Sequence, residues 1–408
     1  MVYVISKDGQ PLMPTSRHGK VKHLLKQGKA KVIRRTPFTI QLLYISEQYI
    51  QPITLGIDAG SKTVGLSAAS NSKEFYAAEA QLRTDIVDLL STRRQNRCTR
   101  RNRKTRYRPA RFNNRVKSKH KGWLAPSVER KVQQHLDLVK EISFILPIAR
   151  IVIETAAFDI RKIKNPQVQD TGYQQGEQLD SWNVREYVLF RDNHQCRHCH
   201  GKSGDKVLNT HHLESRKTGG DAPNNLVTLC ETCHKLLHKG KIKLEMIRST
   251  SFRDAAFMGI MRWTVYNRLK ADYPDVGMTY GYITKHKRIH ELGEPKAHAA
   301  DAFCIAGNLQ AERIRRTYLQ RFVRRHNRQI HKANTAKGGM RKRNQSTPII
   351  KGFRLFDHVL YKDQECFIFG KRTSGYFDLR TLDGTVIHRS ASWKQIRKLQ
   401  TSQTMLIQ

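Results

Sequence analysis

Two Cys-x-x-Cys pairs, Cys196/Cys199 and Cys230/Cys233, restrict the fold of this chain more than any other feature of its sequence. Four thiolates in such pairs can hold one tetrahedral zinc ion, which fixes the backbone around it. The chain advances 31 positions from Cys199 to Cys230. That spacing exceeds the ~15–20 residues of a simple zinc ribbon, so we expect a hairpin between the pairs. The other cysteines are scattered, which favours reduced thiols over a disulfide framework. They are Cys98, Cys304 and Cys366.

Histidines and one asparagine lie between and just after these pairs. His212 is our candidate general base, because an imidazole titrates close to neutral pH. On a strand, His211 points to the opposite face from His212, which suits a metal ligand. His234 and His238 are four residues apart and share one face of a helix, where they can complete a magnesium site. We expect Asn225 to brace the loop that carries His212 through hydrogen bonds.

This arrangement of cysteines, histidines and asparagine resembles the HNH endonucleases. The resemblance implies a ββα-metal module that hydrolyses phosphodiesters, with His211, His212, Asn225 and His234 in its catalytic set. In that chemistry an activated water attacks in line with the leaving oxygen while a cation neutralises the developing charge. The alternative is a structural zinc module without catalysis, whose histidines only decorate a DNA-binding surface.

The charge and composition of the chain narrow the class of partner. A net charge of +41 over 408 residues, with a pI near 10.3, points to nucleic acid, and a membrane surface is the weaker alternative. The 38% apolar content suffices for cores, and the length predicts two to four domains. No apolar run reaches the ~18 residues that span a bilayer. Since the first residues read as a strand and a turn, with no signal-peptide layout, we expect a cytoplasmic protein.

A second set of polar residues lies at the ends of apolar segments. Asp58 ends one predicted strand and Glu154 ends another, while His298 and Asp301 lie three apart at the start of a predicted helix and face the same way. Three carboxylates that converge from such elements can hold two Mg²⁺ ions roughly 3.5–4 Å apart. This order resembles the ribonuclease-H-like nucleases of the RuvC type, which implies that all four residues are catalytic. The alternative is a degenerate fold whose acids are merely solvated.

The predicted HNH module lies between the Glu154 strand and the helix that begins at His298, so it is an insertion into the RuvC-like domain. This topology resembles the IscB family, transposon-encoded RNA-guided nucleases related to CRISPR type II effectors. Pro11-Leu-Met-Pro14 matches the PLMP motif of that family, and the arginine-rich segment 93–121 lies at its bridge-helix position. The resemblance covers nearly the whole chain. About 35 residues, from Pro52 to Val87, separate the N-terminal unit from the bridge helix, which leaves little room for a large helical recognition lobe.

These patterns predict a multidomain α/β protein. Its parts are a ribonuclease-H-like (RuvC) fold split into three segments, an inserted ββα-metal HNH module with a four-cysteine zinc site, an arginine-rich bridge helix and a small β-rich C-terminal domain. The predicted boundaries are 1–50 for the N-terminal PLMP domain, 51–87, 123–175 and 246–312 for the RuvC-like segments, 88–122 for the bridge helix, 176–245 for the HNH domain, 313–347 for a basic linker and 348–408 for the C-terminal domain that reads the target-adjacent motif. Locally, residues 11–14 are predicted to be a turn and residues 278–283 a strand.

Two basic segments are predicted to bind nucleic acid. Fourteen of the 29 residues from 93 to 121 are Lys or Arg and none is acidic, so this segment cannot form a core of its own. A helix between a guide–target duplex and the protein body accounts for that charge, and the alternative is a disordered arm that binds DNA without specificity. The block 313–343 either holds a structured guide RNA through its phosphates or is a basic linker. The predicted contact residues are Arg93, Arg94, Arg97, Arg100, Arg101, Arg103, Lys104, Arg106, Arg108, Arg111, Arg324, Arg325, Arg328 and Lys332.

The family resemblance implies an RNA-guided, metal-dependent DNA endonuclease. Pairing with a structured guide RNA would supply specificity, and the protein would read a short motif in the double-stranded target, through Lys371, Arg372 or Arg380. The HNH site is expected to cut the guide-paired strand and the RuvC-like site the displaced strand. We expect a monomeric ribonucleoprotein with Mg²⁺ in both nuclease sites and a structural zinc ion. Two alternatives stay open: a homing or junction-resolving endonuclease that needs no RNA, and an RNA-guided DNA-binding regulator with vestigial nuclease sites.

Overall fold

The computed structural model describes residues 1–47, 49–101, 123–155, 184–214, 223–244, 253–324, 347–401 and 403–408. The chain forms two compact units. The first comprises Met1–Phe112, Ala125–Ala157 and Met261–Gln408, and the second comprises Asn113–Leu124 and Phe158–Ile260. Within the described ranges, no helix is both long and apolar enough to cross a membrane. The chain is therefore a mixed α/β protein of more than one domain, and the finer division into eight segments stays a prediction.

Strands and helices alternate along both units. The strands are β1 (Val2–Ile5), β2 (Pro11–Thr15), β3 (Ala30–Arg34), β4 (Thr39–Leu42), β5 (Ile53–Asp58), β6 (Thr63–Ala69), β7 (Glu74–Gln81), β8 (Ile148–Thr155), β9 (Leu208–His212), β10 (Leu226–Cys230), β11 (Val276–Tyr280), β12 (Tyr318–Phe322), β13 (His358–Tyr361), β14 (Gln364–Lys371), β15 (Tyr376–Arg380), β16 (Val386–Ser392), β17 (Ile396–Gln400) and β18 (Met405–Ile407). The helices are α1 (His18–Lys26), α2 (Ile86–Arg101), α3 (Pro126–Ile145), α4 (Val184–Arg191), α5 (Glu231–His238), α6 (Arg253–Asp272), α7 (Gly281–His286) and α8 (His298–Ala306).

A small four-stranded sheet begins the first unit, in the order β2-β1-β4-β3. Apolar side chains from its strands and from α1 form a core of their own. The predicted turn at residues 11–14 is wrong, because these residues lie in β2. β2 is an edge strand, which tolerates proline because one side of its backbone has no neighbouring strand to bond. The chain reverses just before it, at residues 7–9.

A seven-stranded sheet forms the centre of the first unit, in the order β11-β8-β5-β6-β7-β12-β18. Successive strands β5, β6 and β7 are antiparallel, whereas β8 and β11 run parallel to β5. In the β5–β8 pair, Ile57 lies opposite Ile153. Asp58 and Glu154 each follow by one residue, so both carboxylates reach the same edge of the sheet.

Helix α8 packs on this sheet at very short range. Of its nine residues, all but His298 and Asp301 are buried. Gly56 and Gly65 make the approach possible: a Cβ at Gly56 would lie 2.1 Å from the carbonyl oxygen of Ala302, and one at Gly65 would lie 1.9 Å from that of His298. Because these two glycines have no side chain beyond a hydrogen atom, α8 can lie close enough to the sheet to place His298 and Asp301 beside the end of β5.

The predicted strand at residues 278–283 is partly wrong. β11 ends at Tyr280 and α7 begins at Gly281. The turn into the helix happens against the Glu154 carboxylate, since a Cβ at position 281 would lie only 3.3 Å from Glu154 Oε1. The helix therefore begins beside the Glu154 carboxylate, at a position where the local sequence pattern would continue the strand.

The C-terminal residues of the first unit form a five-stranded antiparallel sheet, in the order β16-β15-β14-β13-β17. Its apolar core includes Val359, Ile368 and Leu379, all fully buried. After β17 the chain returns to the large sheet, where β18 pairs with β12. Leu406 of β18 packs with Phe367 and Leu382 of the C-terminal sheet.

The described part of the second unit contains α4, a β-hairpin followed by a helix, and the first residues of α6. β9 and β10 are antiparallel, with Leu226 opposite His212, and α5 begins directly after β10. Val227, Leu229 and three cysteines form the buried core of this unit. The described core of this unit is small, and a metal ion on the four cysteines would add a cross-link to it.

Candidate metal centres

The four cysteines of the second unit form one cluster. The four Sγ atoms all lie within 4.8 Å of one another. Cys196 and Cys199 lie in the turns that follow α4, and Cys230 and Cys233 lie at the junction of β10 and α5. Cys230 is the N-cap of α5, and its Sγ accepts a hydrogen bond of 3.5 Å from the backbone N–H of Cys233. Four thiol ligands at this spacing fit one structural zinc ion.

The surroundings of these cysteines change three thiol pKa values. Hydrogen bonding with Ser203 lowers the pKa of Cys199 to about 6. Burial raises the pKa of the Cys230 and Cys233 thiols. Because a metal-bound cysteine is a thiolate, a bound cation has to keep these two groups ionised, and loading the site releases protons.

Three histidines from a strand and a helix form a second cluster in this unit. His211 lies on β9, and His234 and His238 lie one turn apart on α5. One ring nitrogen of each lies within 4.8 Å of the others, and the two Nε2 atoms on the helix are 3.3 Å apart. Burial lowers the pKa of His211 and His234, and neighbouring imidazoles lower both further. These two rings are therefore neutral near pH 7, the form in which imidazole binds a metal ion.

His212 and Asn225 lie beside the histidine cluster on the same hairpin. His212 follows His211 on β9, so successive side chains leave on opposite faces of the strand. Asn225 is fully buried, its Oδ1 accepts a hydrogen bond of 2.8 Å from the Glu214 N–H, and its Nδ2 donates one of 3.1 Å to the Glu214 carbonyl. These two bonds fix the backbone two residues beyond His212.

The donor atoms of the histidine cluster do not match the magnesium ion predicted there. Three imidazole nitrogens suit zinc, nickel and similar transition ions, whereas Mg²⁺ prefers oxygen ligands and keeps several waters. In the part of the chain that the structure describes, no carboxylate joins this group of three. The cluster therefore fits a transition ion better than Mg²⁺.

In the first unit, the large sheet and α8 bring Asp58, Glu154, His298 and Asp301 to one edge. His298 Nδ1 lies 2.6 Å from Asp58 Oδ2. The acidic side chains are nearly buried, with exposed fractions of 10% for Asp58, 12% for Glu154 and 14% for Asp301. Among the described residues, the groups of three or more possible ligands that lie within 4.8 Å of one another are the four cysteines and the three histidines, so the three carboxylates do not form such a group. Carboxylate oxygens are the donors that Mg²⁺ prefers, which fits the chemistry of the predicted pair of ions.

The carboxylates of this group influence each other's protonation. Burial raises the pKa of Glu154, which Arg262 opposes and Asp58 reinforces. Burial also raises the pKa of Asp301, again reinforced by Asp58. The hydrogen bond with Asp58 is the main cause that raises the pKa of His298. These shifts are those expected where several acids are held together away from water.

Two arginines at this edge are not among the site residues that the sequence predicts. Arg262 of α6 contacts Glu154, with 3.0 Å between Nη2 and Oε1. Arg288 donates from Nε to Asp301 Oδ1 at 2.8 Å. In a chain with 75 Lys and Arg residues, no local pattern separates these two from the rest. Only the fold reveals them.

The predicted nucleic-acid contacts are only partly described. Arg93 and Arg94 are exposed on α2, Arg97 is half-buried there, and Arg324 is half-buried after β12. Arg100 and Arg101 lie in the last turn of α2. The predicted contacts outside the described residues are Arg103, Lys104, Arg106, Arg108, Arg111, Arg325, Arg328 and Lys332.

The three candidates for reading a target motif all bond within the C-terminal part of the chain. Lys371 donates to the Pro348 carbonyl at 3.0 Å, and Arg372 donates to Ser390 Oγ at 2.7 Å. Arg380 pairs with Asp378 at 2.6 Å. Each would exchange an existing bond for a contact with a nucleic acid.

Known proteins resemble the chain in two regions. Residues 2–176 match the family described as RRXRR protein, and residues 196–240 match the HNH endonuclease family. No curated protein matches the chain. The HNH endonuclease match encloses the cysteine cluster, the histidine cluster, His212 and Asn225.

Solved structures give more distant likenesses. Streptococcus thermophilus Cas9 in complex with AGGA PAM is 16% identical, with a TM-score of 0.31, over 46% of this chain and 26% of that chain. The same protein in complex with the AGAA PAM is 15% identical, with a TM-score of 0.32, over 52% of this chain and 30% of that chain. The matched regions thus span less than a third of those chains. The family matches place an RRXRR region at residues 2–176 and an HNH endonuclease domain at residues 196–240, which supports the resemblance of this chain to the IscB family.

Proposed function

We propose that this chain is an RNA-guided DNA endonuclease of the IscB type, with an HNH site in the second unit and a RuvC-like site in the first. The observation that carries the proposal is the presence of two separate sets of hydrolytic residues in one chain. One is enclosed by the HNH endonuclease match. The other is the convergence of Asp58, Glu154, His298 and Asp301 at one edge of the large sheet.

In the HNH site, His212 is the proposed general base. His211, His234 and His238 would hold the metal ion, which supplies charge neutralisation at the scissile phosphate. Asn225 keeps His212 in place through its two bonds to Glu214. His212 would take the proton of the attacking water as the general base.

In the RuvC-like site, Asp58, Glu154 and Asp301 are the proposed ligands of two Mg²⁺ ions. The ions would stabilise the attacking and leaving oxygens. His298 donates to or accepts from Asp58 and is partly exposed, so it can reach an incoming water or phosphate. The proposed ribonuclease-H-like core is supported by the neighbouring parallel ends of β5 and β8, which carry two of the three carboxylates.

Guidance by RNA is the least direct part of the proposal. It is supported by the RRXRR match, by the net charge of +41 and by the exposed arginines on α2. If many Lys and Arg residues contact phosphates, the affinity of the protein for nucleic acid should fall steeply as the salt concentration rises. The C-terminal sheet is the proposed reader of a motif beside the target.

Strand-specific cleavage tests the two sites together. Asp58→Ala should slow cleavage of the displaced strand, and His212→Ala should slow cleavage of the guide-paired strand. Each rate should fall on the order of 10³-fold, because several kcal/mol of transition-state stabilisation is removed. Each variant should then nick the opposite strand. If either single variant still makes double-strand breaks, the assignment of that site is wrong.

The RNA that copurifies with the protein tests guidance. Expression with the native flanking DNA should give one abundant structured RNA encoded beside the gene. Heterogeneous RNA or none, with cleavage that persists after ribonuclease treatment, would identify an endonuclease that needs no RNA. Specific binding without cleavage in any divalent ion would identify a regulator.

A further inference from the structure

Each carboxylate of the acidic group has a cationic or proton-donating partner of its own. Asp58 has His298, Glu154 has Arg262 and Asp301 has Arg288. The two arginine side chains are themselves largely buried, with exposed fractions of 16% for Arg262 and 11% for Arg288. Burying a guanidinium is unfavourable unless its donors are satisfied, so these contacts are not incidental surface pairs.

Both arginines also bond a backbone carbonyl beside the group. Arg262 donates from Nε to the carbonyl of Ala59, the residue directly after Asp58, at 2.8 Å. It therefore ties the end of β5 to Glu154 on β8. Arg288 donates from Nη1 to the carbonyl of Glu294 at 3.0 Å, in the segment that leads into α8. It therefore ties that segment to Asp301.

We propose that Arg262 and Arg288 are positioning residues of the RuvC-like site, each holding one carboxylate in the orientation that a divalent ion requires. The proposal rests on the proposed function of this site. Each guanidinium acts as a fork, with one nitrogen on a carboxylate oxygen and another on the backbone. Arg288 bonds one oxygen of Asp301, and Arg262 lies 3.0 Å from one oxygen of Glu154, so each arginine restricts the orientation of a carboxylate that keeps lone pairs for an ion.

A fork predicts a different mutational pattern from a simple positive charge. A lysine at either position keeps the charge but is a compact point donor on a flexible stem, and cannot span both partners in the planar geometry of arginine. Partners that orient metal ligands are commonly worth 10–100-fold in metal affinity or activity, and we expect about that loss here. Arg268 supplies a matched control: it lies on α6 as well and forms a bidentate pair with Glu129, at 2.7 and 2.8 Å, away from the acidic group.

The test measures strand-specific cleavage by the full ribonucleoprotein at saturating Mg²⁺. Arg262→Gln, Arg288→Gln and Arg288→Lys should each slow cleavage of the displaced strand by about 10–100-fold and leave that of the guide-paired strand unchanged. Arg268→Gln should leave both unchanged. A wild-type rate for Arg288→Lys, a loss no greater than in Arg268→Gln, or equal losses on both strands would overturn the proposal.

Metal binding separates this proposal from the proposed function. Mn²⁺ binding is followed by electron paramagnetic resonance, and the signal that Asp301→Ala removes is assigned to the acidic group. Arg262→Gln and Arg288→Gln should weaken that binding by about 10–100-fold even if the wild-type protein cuts neither strand. Unchanged Mn²⁺ affinity together with unchanged displaced-strand cleavage would reject the positioning role.

Discussion

The acidic group of the first unit and the histidine cluster of the second are two ways of building a metal centre in one chain. The acidic group draws Asp58, Glu154 and Asp301 from distant parts of the sequence, and it depends on the close packing of α8 on the sheet. The histidine cluster lies within one hairpin and helix, directly beside the four cysteines. The acidic group therefore lies on a large buried core, whereas the histidine cluster lies on a small core that a zinc ion on the four cysteines would stabilise.

Removing one zinc ligand should have the largest effect, because it should unfold the second unit and leave the first unit folded. Structural zinc binds with an apparent free energy of about 10–16 kcal/mol in small modules, so Cys233→Ser should unfold the second unit. Hydrogen exchange should then show loss of protection in β10 while β5 and β6 stay protected. Zinc content should fall from one ion per cysteine cluster to none.

Cys98→Ser is the matched control, because Cys98 is exposed on α2 and should leave zinc content and exchange unchanged. Retention of zinc and of β10 protection in Cys233→Ser would contradict the dependence of the second unit on the metal.

Metal substitution should sharpen the comparison at an intermediate level. In protein that keeps zinc on the four cysteines and is freed of other divalent ions, Mg²⁺ and Mn²⁺ should support displaced-strand cleavage, because oxygen donors select them. Guide-strand cleavage should reach half its maximum at a Ni²⁺ concentration on the order of tenfold or more below that needed with Mg²⁺. The measurement is strand-specific nicking across a titration of each ion. Identical ion preferences at the two sites would show that donor type does not distinguish them.

The smallest expected effect concerns the packing that creates the acidic group. Gly65→Ala places a Cβ against the backbone of His298, which should cost about 1–3 kcal/mol of unfolding free energy and displace the start of α8. Displaced-strand cleavage should fall while guide-strand cleavage is maintained. Gly19→Ala on α1 is the control, because a Cβ there meets nothing within 4 Å. A denaturant midpoint for Gly65→Ala equal to that of the control would mean that the sheet accommodates the methyl group.

Residues whose chemistry is repeated at short spacing were predictable from the sequence. The two Cys-x-x-Cys pairs and the His234/His238 pair follow from local turn and helix geometry, and the structure brings each set together. Asp58 and Glu154 could be found because each ends an apolar segment, and parallel strands in one sheet bring such ends to one edge.

The rest depends on contacts between distant residues. Arg262 and Arg288 have no local signature, and their role appears only when α6 and the segment before α8 pack beside the carboxylates. The strand at residues 11–14 was mistaken for a turn because its prolines are tolerated only at a sheet edge, which a sequence does not display. The local pattern also continues the strand past Tyr280, although α7 begins at Gly281, beside Glu154 of β8. Magnesium is the ion that we predict from the sequence for the histidine cluster, but three imidazole nitrogens suit a transition ion better.

The pairing of β18 with β12 has a practical meaning for anyone who cuts or shortens this protein. The C-terminal sheet is an excursion that leaves the large sheet after β12 and rejoins it at β18. Proteolytic cleavage between residues 324 and 347 would therefore not release the C-terminal sheet, because the chain that follows it still pairs with β12 through β18. Deleting β18 would do more harm than its three residues suggest. It would expose the backbone donors and acceptors of β12 that now pair with β18, and a strand of another chain could then pair with them.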